Sequence, residues 1–230
     1  MNTARQTILD RIRAAYALRG TNKARDDSYD AIPPAYHRAG SLDAFGRIAL
    51  FQNRLQEYGA CVRFASSTDI PRTIADIFAA RRKRKFVIPS GLPVEWLPQD
   101  VSFTTGDQFT SRDLECFDGV LTGCTVAIAT TGTLVLQNAA RQGPRKLSLV
   151  PDYHLCVVFA DQIVETVPEA FDRLAPTATL PTTFISGPSA TSDIEMTRIQ
   201  GVHGPRFLDA LIVDGSEIDG PFSKSTEEKT

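Results

Sequence analysis

The chain has 230 residues, a formal net charge of −2 at pH 7 and 23% charged residues. This balance argues against a general electrostatic attraction to nucleic acid or acidic lipid. The amino-terminal stretch lacks the apolar core of a signal peptide, and no apolar run is long enough to span a bilayer. We therefore expect a cytoplasmic protein with no membrane span and no nucleic-acid partner.

The residues that usually hold metals and redox cofactors are few and widely spaced. They are His37, Cys61, Cys116, Cys124, His154, Cys156 and His203. No two cysteines form C-x-x-C, and no cysteine pairs with a histidine at metal-binding spacing. The glycine-rich motifs that bind dinucleotides or nucleotide phosphates are missing as well. We predict reduced, mostly buried cysteines, and neither a metal nor a redox cofactor in this chain.

The amino-terminal residues predict a helix followed by a linker. Apolar residues recur at helical spacing over residues 3–19, and Gly20 provides a stop. Residues 21–40 are polar and contain a Pro-Pro pair, which is typical of a linker. We therefore assign residues 1–20 to an amino-terminal helix. We expect this helix to pack on the body or to project from it, rather than to dock on a partner.

Helices and strands alternate along the rest of the chain. Strands are predicted at 61–64, 86–88, 101–103, 124–129, 134–137, 155–159, 182–185 and 208–213, and helices after Ser41, after Thr68 or Asp69, near 111–119 and near 167–175. This alternation is typical of an α/β domain with a largely parallel sheet. The run 155–159 is apolar throughout, as expected for a strand covered on both faces. We predict an α/β domain over residues 41–215 and a disordered tail over 216–230.

Residues 81–85 are all basic and follow a predicted helix. Such a run raises the possibility of a nucleic-acid contact. We favour solvated cations that complement the carboxyl end of the helix dipole, because no aromatic residues are interleaved with the charges.

A first candidate site follows the predicted strand at 124–129. Ligands of parallel sheets bind beyond the carboxyl ends of the strands. Thr131, Gly132 and Thr133 offer hydroxyl groups and a flexible turn whose backbone N–H groups can bind an anion. The alternative is a β-bulge or a tight hairpin turn.

A second candidate site follows the strand at 182–185. Small hydroxyl residues there lead toward a predicted helix start, capped by Ser192 or Asp193, whose N–H groups would face an anion. A histidine between two glycines follows and adds a titratable imidazole. The candidate residues of these segments are Ser186, Gly187, Ser189, Thr191, Asp193, Glu195, His203 and Gly204. The alternative is ordinary loop and capping chemistry, for the two acidic residues in particular.

Arg145 is the candidate cation for the same ligand. Its guanidinium matches a carboxylate group in a two-pronged hydrogen bond. The alternative is a solvated loop arginine. Together with the two loops, Arg145 predicts a site for a small anionic ligand.

Three segments of the chain resemble the LUD-domain family, and specifically its lactate utilization protein C (LutC) group. They are ATTGTLVL at 129–136, SLVPDYHLCVV at 148–158 and ISGPSATSDIEMTRIQGVHGP at 185–205. The resemblance spans roughly residues 42–214. It implies a three-layer αβα fold like that of the NagB/RpiA/CoA-transferase-like superfamily, which includes sugar-phosphate isomerases and CoA transferases.

The resemblance also implies a function, which is the oxidation of L-lactate to pyruvate. In that role the chain would be an accessory, non-catalytic subunit, and the iron–sulfur clusters would lie in partner proteins of the lactate utilization system. One alternative is a stand-alone enzyme or binding protein for a CoA, phosphorylated or nucleotide-like ligand. Another is a scaffold protein that docks through its amino-terminal helix.

The chain departs from the family pattern at one position. The family usually has A-E-T-G-T where this chain has ATTGT, so Thr130 replaces a glutamate. In CoA-transferase relatives a glutamate in a comparable loop is the nucleophile, and a threonine cannot form the same acyl anhydride. The departure argues against an independent transferase and leaves a binding role open.

Overall fold

The computed structural model describes residues 4–18, 37–192, 198–200 and 204–215. The chain divides into two units, Met1–Tyr36 and His37–Thr230. The predicted tail and most of the predicted linker lie outside the described residues. The predicted domain boundaries therefore stay a prediction.

The first unit contains helix α1, which spans Ala4–Leu18. Ile8, Ile12 and Tyr16 on this helix are exposed. Asp10 accepts hydrogen bonds from the side chains of Gln6 and Arg13, which lie four and three residues away on the same helix. Such pairs stabilise an exposed helix by a few tenths of a kcal/mol each.

The second unit alternates helices and strands, as predicted. Its elements are α2 (Ala44–Glu57), β1 (Cys61–Ser66), α3 (Ile70–Arg81), β2 (Lys85–Ile88), β3 (Ser102–Thr105), α4 (Ser111–Leu114), β4 (Gly119–Thr122), β5 (Val126–Ile128), β6 (Thr133–Gln137), α5 (Arg145–Leu149), β7 (Tyr153–Phe159), β8 (Ile163–Val164), α6 (Val167–Leu174), β9 (Thr182–Ile185), β10 (Ala190–Ser192), β11 (Arg198–Gln200) and β12 (Phe207–Asp214). Strand β4 was not predicted, and β5 is shorter than the predicted strand at 124–129. Burial is continuous from residue 119 to 129, so hydrophobicity alone does not separate the two strands.

A parallel six-stranded sheet forms the centre of this unit, in the order β1-β12-β7-β4-β2-β3. All seven residues of β7 are buried. This burial follows because side chains of α3 cover one face of the sheet, whereas α2 and a second sheet cover the other. The second sheet has the order β8-β5-β6-β9. The predicted α/β class with a mostly parallel sheet is confirmed.

Helix α3 shows how the apolar spacing produces the packing. Ile70, Ile74, Ile77 and Phe78 lie on one face of the helix, and all four are buried in the core. Each buried side chain of this size contributes about 1.5–3 kcal/mol. The helix begins directly after Asp69, one of the two predicted positions, although the Asp69 carboxylate accepts a hydrogen bond from Ser66 Oγ and makes none to the first turn of the helix.

Arg81 corrects the interpretation of the basic run. Its guanidinium donates to both carboxylate oxygens of Asp209, with Nε–Oδ2 at 3.0 Å. Tyr153 Oη donates to the same carboxylate at 2.8 Å, and Asp209 is only 2% exposed. The bonds to Asp209 raise the pKa of Arg81, and burial beside this carboxylate raises the pKa of Tyr153. Arg81 is therefore a structural ion-pair partner rather than a solvated cation.

None of the four cysteines, all of which lie in the described residues, forms a disulfide; Cys61 and Cys116 are exposed, and Cys124 and Cys156 are buried. Among the described residues, no group of histidine, cysteine and acidic side chains has the arrangement of a metal site. No helix in the described part of the chain has the length and apolar character needed to cross a membrane.

Candidate functional site

The loop at residues 130–133 is a hairpin turn between β5 and β6. These strands pair antiparallel, with Ile128 opposite Thr133. Gly132 has a φ of +58°, and a Cβ there would lie 2.8 Å from the Cβ of Arg54 on α2. Glycine is therefore required both by the backbone and by the packing. The expectation that this loop ends a strand of the parallel sheet is wrong, because β5 and β6 belong to the second sheet.

A chain of hydroxyl groups connects this hairpin to the second candidate loop. Thr133 Oγ1 lies 2.7 Å from Thr131 Oγ1 and 2.7 Å from Ser186 Oγ. The two loops meet because β6 pairs antiparallel with β9. Thr130 does not join this chain through its backbone, since its N–H donates to the carbonyl of Glu165 at 3.0 Å.

The loop after β9 is held by a glycine and by a backbone hydrogen bond. Gly187 has a φ of +91°, and a Cβ there would lie 2.5 Å from the Cβ of Tyr58. The Ser189 N–H donates to the carbonyl of Pro205 at 2.8 Å. This bond places the loop against the segment that enters β12.

The helix predicted to start at Ser192 or Asp193 would lie outside the described residues, and Ser192 itself is the last residue of a strand. Residues 190–192 form β10 and pair antiparallel with β11, with Thr191 opposite Ile199. The β-branched residues of this pair could have indicated strands. Thr191 therefore lies on a hairpin strand, whereas Asp193, Glu195 and His203 lie outside the described residues.

These segments border a cavity of about 310 Å³, which we call the amino-edge cavity. It lies at the amino ends of β7 and β12, between these strands, α5 and the loop after β9. Its polar lining includes Arg145, Ser148, His154, Ser186 and Ser189. Of the predicted site residues, it brings together Arg145, Ser186, Gly187, Ser189 and Gly204. Thr133 and Thr131 connect to it through the Ser186 hydroxyl, and Gly132 packs on α2 instead.

The charge of this lining suits an anion. Arg145 is the first residue of α5 and remains exposed, while Ser148 one turn later is buried. The described residues that line the cavity contribute this one cationic side chain and no carboxylate. A guanidinium and several hydroxyl groups without a competing acid favour a carboxylate or phosphate ligand.

His154 also lines the cavity and was not among the predicted site residues. It is 1% exposed, and its Nε2 lies 2.7 Å from Thr122 Oγ1. Its Nδ1 is buried without a hydrogen-bond partner among the described residues. Burial lowers the pKa of His154 to about 4, so the imidazole is neutral at pH 7. The available signal was a polar residue next to a fully apolar strand, since buried polar side chains require partners.

A larger cavity of about 720 Å³ lies at the carboxyl ends of β1 and β12 and is called the carboxyl-edge cavity. Its lining includes Phe45, Phe64, Asp69, Arg72, Asp76 and Asp214. It contains none of the predicted site residues, and its three carboxylates disfavour an anion. We therefore place the candidate anion site in the smaller amino-edge cavity, although ligands of parallel sheets usually bind at the carboxyl edge.

The fold agrees with the family resemblance. Residues 48–213 match the model of the LUD domain, so the chain belongs to the LUD domain family. The lactate utilization protein C of Deinococcus radiodurans is 41% identical over 187 residues, which cover 80% of this chain and 87% of that protein. The lactate utilization protein C of Bacillus subtilis (strain 168) is 36% identical over 35% of each chain.

A solved structure supports the same family and the same fold. The crystal structure of a DUF162 family protein from Deinococcus radiodurans superimposes with a TM-score of 0.66 at 34% sequence identity. The match covers 75% of this chain and 99% of that one. The predicted family and fold class are both confirmed.

Proposed function

We propose that this chain is an accessory subunit of a lactate utilization system and that its amino-edge cavity binds a small anionic ligand. The observation that carries the proposal is the convergence of Arg145, Ser186 and Ser189 on one cavity whose described lining has no carboxylate. The names of the relatives support the physiological setting, since two of them are called lactate utilization protein C.

We place the iron–sulfur clusters of such a system in partner proteins. A cluster usually takes four thiolates, several of them closely spaced along the chain. The four cysteines here are isolated in the sequence, and two are exposed whereas two are buried in the core. This distribution supports an accessory role in which the chain binds a ligand and its partners carry electrons.

The hairpin at residue 130 supports binding rather than acyl transfer. Thr130 is exposed and offers a hydroxyl where the family pattern has a carboxylate. The neighbouring Thr131 and Thr133 hydroxyls are hydrogen-bonded to each other, and Thr133 is bonded to Ser186. These contacts position the wall of the cavity and provide no carboxylate nucleophile.

A deletion strain and affinity purification test this proposal. In cells that lack other L-lactate dehydrogenases, we expect deletion of the gene to abolish growth on L-lactate. The tagged full-length chain should purify together with iron–sulfur proteins from cells grown on that substrate. Normal growth of the deletion strain on L-lactate would contradict the proposed role.

Complementation of the deletion strain with matched variants tests whether growth on L-lactate depends on the amino-edge cavity. Wild type and Arg72→Ala, which alters the carboxyl-edge cavity, should both restore growth of the deletion strain. Arg145→Ala should restore it poorly while reaching the same cellular level. Equal complementation by the two variants would argue against a role for the amino-edge cavity.

A further inference from the structure

Strand β1 is the outermost strand on one side of the parallel sheet. It pairs with β12, and no strand in the described part of the chain pairs with its other side. An outermost strand leaves a row of backbone N–H and C=O groups available to a further strand. The outer side of β1 therefore has the hydrogen-bonding groups of a pairing surface.

The other outermost strands of the two larger sheets are shorter or protected. Strand β8 has only two residues, and both are buried. Strand β9 has four residues, with Pro181 directly before it and Pro188 shortly after it. Strand β3 also has four residues, whereas β1 has six and contains neither proline nor glycine. Since short strands and prolines are the usual protection against strand addition, β1 is the most open of these strands.

Aromatic side chains add apolar area next to the outer side of β1. Phe64 on β1 is half exposed, and Phe45 on α2 is more exposed still. Both rings line the carboxyl-edge cavity. A further strand at this position would remove the free backbone groups and part of this aromatic surface from water, and both changes favour association.

Two identical strands can pair here about a two-fold axis normal to the sheet. Such pairing is antiparallel and keeps each face of the sheet on its own side, and its two longest registers centre on Arg63 or on Phe64. The first register places two guanidinium groups opposite each other, which is unfavourable. The second register places the two Phe64 rings opposite each other and Arg63 opposite Ala65 of the second copy.

The register centred on Phe64 also brings opposite charges together. Ala65 packs against the core on the side of the sheet that α3 covers, and Arg63 lies on the same face of β1. Asp69 and the exposed Asp76 line the carboxyl-edge cavity together with Ala65. Arg63 opposite Ala65 therefore approaches the carboxylates of the second copy, and the two-fold axis repeats this contact. Such complementarity favours the pair and fixes its register.

We infer that two copies of this chain associate through β1, in antiparallel pairing centred on Phe64, so that their two parallel sheets join into one continuous sheet. The surface is self-complementary in backbone groups, aromatic rings and charge, so a second copy is the partner that it fits. It is separate from the amino-edge cavity, so loss of the dimer would leave the anion site intact.

Analytical ultracentrifugation of the full-length chain tests the inference. We expect wild type to sediment as a dimer at micromolar concentration. Phe64→Lys places like charges opposite each other and should weaken the dimer at least about 100-fold. The matched control is Phe184→Lys on β9, which has a similar exposure and should remain a dimer. A monomeric wild type, or equal dimer formation by the two variants, would overturn the inference.

Disulfide cross-linking tests the register and does not depend on the folding of Phe64→Lys. The background variant carries Cys61→Ser and Cys116→Ser, which remove the two exposed thiols. Directly opposite residues of antiparallel strands have Cα atoms about 4.5–5.5 Å apart, which suits a disulfide. Mild oxidation should therefore cross-link Phe64→Cys into a dimer. Arg63→Cys should cross-link at least about tenfold less, because its two copies lie diagonally, about 7–8 Å apart. The reverse order, or no cross-linking of Phe64→Cys, would overturn the pairing.

A charge exchange tests the contact between Arg63 and the carboxylates of the second copy. We expect Arg63→Glu to weaken the dimer about tenfold, because it places an acid beside Asp69 and Asp76. Adding Asp76→Arg to this variant should restore most of the affinity in ultracentrifugation. An unchanged dimer in Arg63→Glu would contradict the charge pairing that selects this register.

Discussion

At its amino edge the parallel sheet holds polar and charged side chains in buried positions, whereas its carboxyl edge places charged side chains beside exposed aromatic rings. His154 and Asp209 are 1% and 2% exposed, but Phe45 and Phe64 are 80% and 51% exposed. The larger cavity lies at the carboxyl edge, and the better-matched chemistry lies at the amino edge. Cavity volume is therefore a poorer guide to this site than the satisfaction of buried polar groups.

The two edges should also differ in how much free energy of unfolding a substitution costs. Removing one partner of a buried polar pair leaves the other partner without compensation, so the loss is large. Exposed charges interact weakly because water screens them. We therefore expect larger effects at the amino edge.

The largest effect is expected for Arg81→Ala. It leaves the Asp209 carboxylate buried beside Tyr153 without a cation, and such a loss costs about 3–5 kcal/mol of unfolding free energy. Arg72→Ala alters the same helix at the carboxyl-edge cavity and should change stability by less than about 0.5 kcal/mol. Chemical denaturation of both variants measures the difference. Similar losses in the two variants would remove the contrast between the edges.

Acidification should destabilise the protein through His154. Its pKa is lowered to about 4 from 6.5 by burial, so the unfolded chain binds the proton first as the pH falls. The stabilising contribution is complete above pH 6.5 and is lost between pH 6.5 and 4, for a total of about 3 kcal/mol. Denaturant unfolding across this range should show the slope, and His154→Gln should flatten it. A wild-type profile that is flat from pH 6.5 to 4.5 would contradict the neutral, buried imidazole.

The loops at the two edges should tolerate an added methyl group differently. Gly187 and Gly215 both have positive φ, but a Cβ at Gly187 would overlap Tyr58 Cβ at 2.5 Å. At Gly215 the nearest atom is Ser67 Oγ at 3.3 Å. We expect Gly187→Ala to cost about 2 kcal/mol and Gly215→Ala about 1 kcal/mol, because the second variant adds backbone strain with little overlap. Thermal unfolding measures both, and the reverse order would contradict the packing of the loop on Tyr58.

The smallest of the effects expected at the amino edge concerns the affinity for an anion. Arg145 is exposed, so its pairing with a carboxylate is partly screened, and Arg145→Ala should weaken pyruvate binding about tenfold, or ~1.4 kcal/mol. Arg72→Ala should leave the affinity unchanged. Calorimetry with the two variants decides which edge binds the ligand. A larger loss with Arg72→Ala would move the site to the carboxyl edge.

Much of the fold was predictable because its signals are local. The apolar spacing of Ile70, Ile74 and Phe78 predicted α3, and the apolar run at 155–159 predicted β7. Strand β4 was missed because it continues into β5 without a change of burial. Ser192, the last residue of β10, was taken for a helix cap because serine favours both caps and turns, and only its pairing with β11 shows that it belongs to a strand.

The candidate site was predictable in part. The hydroxyl-rich loop after β9 and Arg145 were selected for their chemistry, and they line one cavity. His154 was not predicted, because its burial and its contact with Thr122, which lies 32 residues earlier in the chain, cannot be read from the sequence. The loops were predicted at the carboxyl edge of a parallel sheet, since the sequence does not show that β9 belongs to a separate sheet.

The sequence by itself determined the α/β class, the family motifs and the choice of residues with anion-binding chemistry. These properties depend on side-chain type and on periodicity over a few turns or strand residues, so short segments of the sequence are enough to show them. Only the tertiary structure decided that Arg81 meets Asp209, 128 residues away, and that Ser186 meets Thr133. Long-range strand pairing brings these groups together, and burial then gives each contact its energy.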